Sequence, residues 1–242
     1  MAANNNIPHS YGLLLFPGFE VLDAAGPIEV LNILSKYFSH SEMSLSVIAK
    51  TVDTTVTPGP IAPDENSKQF TGQQLYQPTH SFETAPKDLD VLIIPGGRGV
   101  NRTDEELKPL LDFLRHCYHG TDGRQSLQYI FSICTGSTLL ARAGILDGHK
   151  ATTNKKAWNR VTPLGPRTHW VAKARWVESN GRVWTASGVT AGIDGMAALV
   201  GRVYGEETAD RVCEFIEHVR VKEAGDDPFA EVNGCRDVLP VE

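Results

Sequence analysis

The stretch "LQYIFSICTGSTLLARAGIL", residues 127–146, decides the fold that we expect. Residues 127–133 form a mostly apolar run, which is typical of a strand buried inside a sheet. Residues 136–146 then follow a helical pattern. Cys134 stands between the two. A cysteine at the corner between a buried strand and a helix predicts a sharp turn that exposes the sulfur at the edge of the sheet.

The same alternation of short and long apolar patterns continues on both sides of this corner. Because strands alternate with helices, we predict an α/β fold with a mainly parallel central sheet covered on both faces. Thr103 and Glu106 form a capping box that marks one helix start. The predicted strands cover residues 11–16, 45–50, 90–97, 127–133, 170–177 and 181–188, and the predicted helices cover 24–38, 103–118, 136–146, 191–205 and 206–221.

The chain is expected to form a single domain over residues 1–242, with its core at about 11–221. Residues 222–242 have little periodicity and are predicted to be a docked or loose tail. Residues 57–87 contain five prolines and few apolar residues, so we interpret them as a long loop or hairpin inside the domain.

Composition excludes several classes of function. The 242 residues carry a net charge of −6, which does not favour a nucleic-acid or membrane partner. No apolar run is long enough for a transmembrane helix, and the polar start lacks a signal-peptide core, so we expect a cytoplasmic protein. The four cysteines have no zinc-site spacing, so we expect free thiols and no metal.

The position of Cys134 suggests nucleophilic chemistry. A helix N-terminus favours a thiolate, and the backbone amide of Thr135 can point toward an oxyanion beside the sulfur. The sequence therefore predicts a thiolate at neutral pH. The alternative is that Cys134 is a small buried apolar side chain, as many isolated cysteines are.

Two neighbouring segments favour the functional interpretation. The amides of Gly96 and Gly97, in a Pro-Gly-Gly turn after a predicted strand, can form the second half of an oxyanion hole, although the motif also fits a plain tight turn. Asp23 follows the first strand and is either a helix N-cap or an acid near the sulfur. Close to a thiolate, its carboxyl would be driven toward the protonated form and could deliver that proton to a substrate.

These segments together resemble the ThiJ/PfpI superfamily, whose members are related to class I glutamine amidotransferases. The resemblance extends over roughly residues 12 to 204, is strongest toward the isonitrile hydratase branch, and implies a flavodoxin-like three-layer sandwich. The matching stretches are "LLLFPGFEVLDAAGPIEVL" (13–31), "LDVLIIPGGRGV" (89–100), "SICTGSTLLARAGILDGHKATT" (132–153) and "SGVTAGIDGMAALV" (187–200).

The resemblance also implies roles for particular residues. Cys134 falls on the nucleophile, Asp23 on its acidic partner, and Thr135 on the residue that follows the nucleophile in the hydratase branch. Val189 and Thr190 fall on positions that line the pocket opposite the sulfur. The family is usually dimeric, so we expect a homodimer with the site near the subunit contact.

One departure from the family pattern concerns the pocket. Asn154 stands in "ATTNKKAW" where the hydratase pattern has a histidine, which puts the substrate in question. The chain also ends about 20 residues after the last predicted helix, too few for the DNA-binding module of the regulator branch.

The leading functional prediction is a cofactor-independent lyase that hydrates a small electrophile, an isonitrile, to an N-substituted formamide. Cys134 would form a thioimidate and Asp23 would act as acid and base. Two alternatives stay open. One is a glyoxalase-like or metabolite-tailoring cysteine enzyme of the same superfamily, and the other is a redox sensor or holdase without enzymatic activity.

Overall fold

The structure is a computed structural model, and it describes residues 7–39, 41–58 and 74–241. A seven-stranded sheet forms its centre, in the order β3-β2-β1-β4-β5-β9-β8. All neighbouring pairs are parallel except β8 with β9, which is antiparallel. The strands are β1 (Ser10–Leu14), β2 (Ser44–Ala49), β3 (His80–Ser81), β4 (Val91–Ile94), β5 (Tyr129–Ile133), β6 (Lys150–Ala151), β7 (His169–Trp170), β8 (Trp176–Ser179) and β9 (Val183–Ala186).

Helices cover both faces of this sheet. The α-helices are α1 (Val21–Ile33), α2 (Asp104–His119), α3 (Ser137–Arg142), α4 (Trp158–Val161), α5 (Ala191–Tyr204), α6 (Glu206–Phe215) and α7 (Phe229–Val232). Helix α5 packs against α1 and α6, while α2 packs against α3. The predicted α/β sandwich with a mainly parallel sheet is confirmed. Strands β6 and β7 pair separately, outside the main sheet.

Several element boundaries follow from local chemistry. The capping box of Thr103 and Glu106 is present, and α2 begins where it predicts. Strand β4 is buried along its whole length, as a continuous apolar run requires. The predicted helix over 136–146 ends earlier, at Arg142, because Gly144 adopts a φ of +76° that closes the helix.

Two predicted elements are wrong in their extent. The strand predicted over 170–177 is two strands, β7 and β8, because the chain between them turns to meet the tail, where the Arg175 amide donates to the Ala224 carbonyl. The helix predicted to reach residue 221 ends at Phe215. There Glu217, with a φ of +52°, redirects the chain so that the Val221 amide donates to buried Asp194.

The tail is docked rather than loose. Val238 pairs with Trp170 of β7 as an isolated bridge, and the Cys235 thiol donates to the Lys155 carbonyl at 3.4 Å. In the region predicted as a loop or hairpin, Val56 and Tyr76 form an antiparallel bridge, and residues 59–73 lie outside the described part. Across the described ranges, no helix is both long and apolar enough to cross a membrane.

The carboxyl ends of β1, β4, β5 and β9 all lie at one edge of the sheet, since these strands are parallel to one another. The loops that follow them are 15–20, 95–97, 134–136 and 187–190. In parallel sheets this edge is the usual place of a ligand site. The fold therefore brings together the segments that the sequence singles out.

Candidate active site

Cys134 occupies a strained corner between β5 and α3. Its φ is +57°, a left-handed conformation that costs a non-glycine residue about 1–2 kcal/mol. Three contacts hold it there. The Cys134 amide donates to the Ser187 carbonyl at 2.8 Å, and the hydroxyls of Thr153 and Ser137 donate to the Cys134 carbonyl at 3.0 and 3.3 Å. Strain that is fixed by so many contacts is typical of a functional site.

Asp23 lies in the first turn of α1 and is fully buried. The loop before α1 is tied to the loop after β4, because Phe19 bridges Gly97 and the Glu20 amide donates to the Gly96 carbonyl at 2.8 Å. In return the Gly96 amide donates to Oδ2 of Asp23 at 2.8 Å. The N-cap of α1 is Glu20, without a side-chain cap, so the interpretation of Asp23 as an N-cap is wrong.

The Pro-Gly-Gly turn does not offer open amides. The Gly96 amide is bound to Asp23, and the Gly97 amide donates to the Thr135 hydroxyl at 3.0 Å. A Cβ added at Gly96 would lie 2.6 Å from the Thr135 amide nitrogen, so only glycine fits between the two loops. The expectation of an oxyanion hole from these two amides therefore needs correction, because both already position other residues of the site.

The environment of Asp23 raises its pKa to about 7. Burial is the main cause, and the nearby negative charge of Glu20 adds to it. The Gly96 amide and the Cys134 thiol act in the opposite direction, since both can donate to a carboxylate. Protonation of Asp23 thus depends chiefly on burial, whereas the sequence pointed to repulsion by a thiolate.

The sulfur of Cys134 is not the low-pKa thiolate that the sequence suggests. Burial and the adjacent Asp23 carboxylate raise the pKa of the thiol to about 12, against the lowering effect of the Val189 and Thr135 amides and the Asn154 side chain. Because the Asp23 carboxylate opposes ionisation of the Cys134 thiol, the pair loses its two protons in separate steps, and the carboxyl loses its proton first.

Asn154 contacts the sulfur directly. Its Nδ2 lies 3.2 Å from Sγ of Cys134, while its Oδ1 accepts from the Ala157 amide at 3.1 Å. That cap bond turns the NH₂ group toward the sulfur. The sequence placed Asn154 in the substrate pocket, as a departure from the family pattern, but did not predict its contact with the sulfur. A polar residue three positions before the Ala157 amide is the local signal that would have predicted its orientation.

The loop after β9 forms the opposite side of the site. Val189 has a φ of +31° and directs its amide to the Cys134 thiol. Thr190 is exposed, and its hydroxyl accepts from Arg175 at 3.4 Å rather than facing the sulfur. Asp194, which sequence reasoning missed, is fully buried on α5 and accepts from Arg175 at 2.7 Å. It fixes the start of α5 and so the Val189 loop.

A cleft of about 410 Å³ opens above the sulfur. Cys134, Thr135, Asn154 and Gly97 lie in its wall, and Cys134 keeps 6% of its surface exposed there. No histidine is among the described residues that line it.

A second, mostly apolar cavity of about 210 Å³ lies beside β2 and α2 and contains none of the predicted site residues. Within the described residues no three His, Cys, Asp or Glu side chains converge as a metal site would require.

Comparison with known proteins places this site in context. A family model described as "DJ-1/PfpI family" matches residues 10–202. The chain is 34% identical over 201 residues to the isonitrile hydratase of Pseudomonas putida, which covers 83% of this chain and 75% of the relative. It is also 27% identical over 225 residues to the HTH-type transcriptional regulator GbdR of Pseudomonas aeruginosa, covering 92% of this chain but only 54% of the regulator.

Among solved structures, a ThiJ/PfpI family protein from Pseudomonas syringae superposes with a TM-score of 0.68 at 26% identity. The match covers 93% of this chain and 80% of that one. The sheet and its helical layers are therefore those of this group of proteins.

Proposed function

Because the chain belongs to the DJ-1/PfpI family, we propose that it is a cysteine-dependent hydro-lyase that converts an isonitrile and water into an N-substituted formamide. The observation that carries this proposal is the adjacency of two buried groups, the Cys134 thiol in the wall of the cleft and the Asp23 carboxyl, whose pKa burial raises to about 7. The 34% identity to an isonitrile hydratase supports the same reaction class.

The first chemical step transfers the proton of the Cys134 thiol. Cys134 attacks the terminal carbon of R–N≡C, and the S–C bond forms as one C–N π bond breaks. Asp23 takes the thiol proton and delivers it to the same carbon, which gives the thioimidate R–N=CH–S–Cys134. A carboxyl whose pKa is near 7 suits both transfers, because neither form is strongly favoured at neutral pH.

The second step consumes water. Asp23, again a carboxylate, removes one proton from a water molecule that attacks the thioimidate carbon and passes it to the nitrogen, which gives the tetrahedral species R–NH–CH(OH)–S–Cys134. The hydroxyl proton is then transferred to the sulfur as the C=O bond forms and the C–S bond breaks, and R–NH–CHO leaves. Atoms balance as one isonitrile and one water to one formamide. Asn154, at 3.2 Å from Sγ, donates to sulfur whenever the sulfur carries negative charge.

The test is product formation from a simple alkyl isonitrile, followed by NMR in ¹⁸O-labelled water. We expect an N-alkyl formamide with label in the formyl oxygen. Cys134→Ala should lower turnover by about 10³-fold or more, since no nucleophile remains. Cys213→Ala is the matched control, because it removes another buried thiol on α6 and should leave turnover unchanged. Equal turnover by parent and Cys134→Ala would defeat the proposal.

Two other cysteine functions receive less support from the site. Glyoxalase-like chemistry would place a glutamate and often a histidine beside the cysteine, whereas an aspartate is present and the described cleft wall has no histidine. A redox sensor needs an accessible low-pKa thiol, whereas burial and Asp23 raise the pKa of Cys134. An assay for lactate formed from methylglyoxal, run beside an assay for isonitrile loss, distinguishes glyoxalase-like activity from isonitrile hydration.

The similarity to a transcriptional regulator favours a second candidate function, ligand sensing without turnover. In that case the cleft would bind a small electrophile but release it unchanged. Saturable binding of the isonitrile, with no formamide formed by the parent protein, would support sensing over catalysis.

A further inference from the structure

The mouth of the cleft above Cys134 carries an unusual set of charges. Arg98, Lys156 and Arg160 line it together with a single acidic side chain, Glu20. All four are exposed. Three positive charges against one negative charge leave a net +2 at this mouth, although the whole chain carries −6.

These three cations are not neutralised by the protein. None of them is in an ion pair with a described residue, and Arg160 donates only to the neutral side-chain amide of Asn101. Elsewhere in the chain, Arg142 is paired with Asp104 and Arg175 with Asp194. The cations at the mouth are therefore available to a ligand.

The charges are also arranged in depth. Cys134 is a buried residue of the cleft wall and Asp23 lies fully buried behind it, whereas the three cations that line the same cleft are exposed. A molecule with an anionic group at one end and an electrophilic carbon at the other is oriented by this arrangement. Its anionic end is held at the rim, and the carbon is directed to the sulfur.

We propose that the cleft selects small electrophiles that carry an oxyanion such as a carboxylate, with Arg98, Lys156 and Arg160 as the specificity-determining residues. The guanidinium groups match a carboxylate in shape and charge. This inference deepens the proposed function. It implies an isonitrile that bears a carboxylate as the substrate, and for the isonitrile it rests on the proposed function.

The charge selection is tested without catalysis by alkylating Cys134. Iodoacetate carries a carboxylate and iodoacetamide does not. With each, the sulfur displaces iodide from the CH₂ carbon and loses its proton. The rates are measured by peptide mass spectrometry at Cys134, and their ratio is divided by the ratio for glutathione. Because both reagents attack the same thiol, any change in the pKa of Cys134 cancels.

We expect iodoacetate to be favoured at Cys134 by about tenfold over the glutathione reference, falling as salt rises. The double variant Arg98→Gln/Arg160→Gln should bring the normalised ratio close to one, and Glu20→Gln should raise it. The control variant Lys108→Gln/Arg202→Gln removes the same net charge at two positions that do not line the cleft, and it should leave the ratio unchanged.

A normalised ratio of one in the parent protein, or a raised ratio that the arginine variants do not lower, would overturn the proposal. A paired assay with a carboxylate-bearing isonitrile and its methyl ester separates the two ideas. If neither is hydrated while the alkylation ratio stays high, the hydratase function fails and the anion selection stands. If both are hydrated at equal kcat/KM and the alkylation ratio is one, the anion selection fails and the hydratase function stands.

Discussion

At the residue scale, the carboxyl of Asp23 costs the fold stability at neutral pH. Its pKa is raised from the usual 3.8 to about 7 in the folded protein, so its stabilising contribution is complete below pH about 4 and is lost as pH rises toward 7. At neutral pH the fold would therefore be more stable with a neutral amide at position 23, although the proposed reaction needs the carboxyl.

We therefore predict that Asp23→Asn is more stable than the parent at about pH 8, by about 2–4 kcal/mol, and differs little at about pH 4. The Asn amide keeps the acceptor for the Gly96 amide but does not ionise. Urea unfolding at both pH values measures the difference. Asp226 is an exposed carboxylate, so the control variant Asp226→Asn should change stability little at either pH. A variant no more stable than the parent at about pH 8 would contradict the burial argument.

Sequence reasoning at this scale identified Cys134 and Asp23 and expected a raised pKa for the carboxyl, but it missed burial as the cause and expected a thiolate at Cys134. The strand-to-helix corner is visible in residues 127–146, because it depends on local apolar patterns. The raised pKa values depend on burial and on the approach of two distant loops, which a local pattern does not contain. For the same reason Asn154 was identified as a substitution, while its contact with the sulfur was not.

At the element scale, a buried ion pair joins the tail to the segment that carries Asn154. Lys155 and Asp227 lie 3.3 Å apart with side chains 1% and 0% exposed. Lys155 also donates to Thr152 and to the Ala174 carbonyl. The pair thus fixes the short turn that begins at Asn154, one residue before the lysine.

We predict that Asp227→Asn destabilises the protein by about 3–5 kcal/mol, because it leaves a buried charge without its partner. Burial lowers the pKa of Lys155 to about 8, and Asp227 opposes this effect. The loss should therefore be largest below pH about 8, where the lysine is charged in the parent, and smaller above it. Thermal unfolding at pH values on either side measures it.

The neighbouring variant Asp226→Asn is the control, since Asp226 is exposed and should tolerate the change within about 0.5 kcal/mol. Equal stability of the two variants would show that the tail does not hold the Asn154 turn.

The helices, strands and tail contacts at this scale were only partly predictable from the sequence. The capping box of α2 and the apolar run of β4 are local signals, whereas the docked tail depends on Lys155, whose partner lies 72 positions further along the chain.

At the scale of the whole molecule, the alternation of strand and helix patterns was sufficient to predict the parallel sheet. Strand β8 was predicted only in part, as the end of the strand expected over 170–177, and its antiparallel pairing with β9 was not predicted. The convergence of four loops at one sheet edge follows from the parallel order and explains why motifs far apart in sequence form one site.

We propose, from the family resemblance, that the chain forms a homodimer. Light scattering after size-exclusion chromatography should then give twice the 26.4 kDa of one chain. The value should stay constant over a tenfold dilution for a stable dimer. A mass of one chain at every concentration would contradict this prediction, without bearing on the chemistry of Cys134.

The most direct test of the central claim is the pH dependence of Cys134 alkylation by iodoacetamide in the parent and in Asp23→Asn. If ionisation of the two residues is coupled, the parent rate should rise through an inflection near pH 7, where the pair loses the first of its two protons. Asp23→Asn should lack that inflection and react only as the thiol itself ionises at higher pH. The same inflection in both proteins would contradict the coupling of Asp23 to Cys134 and, with it, the mechanism built on that pair.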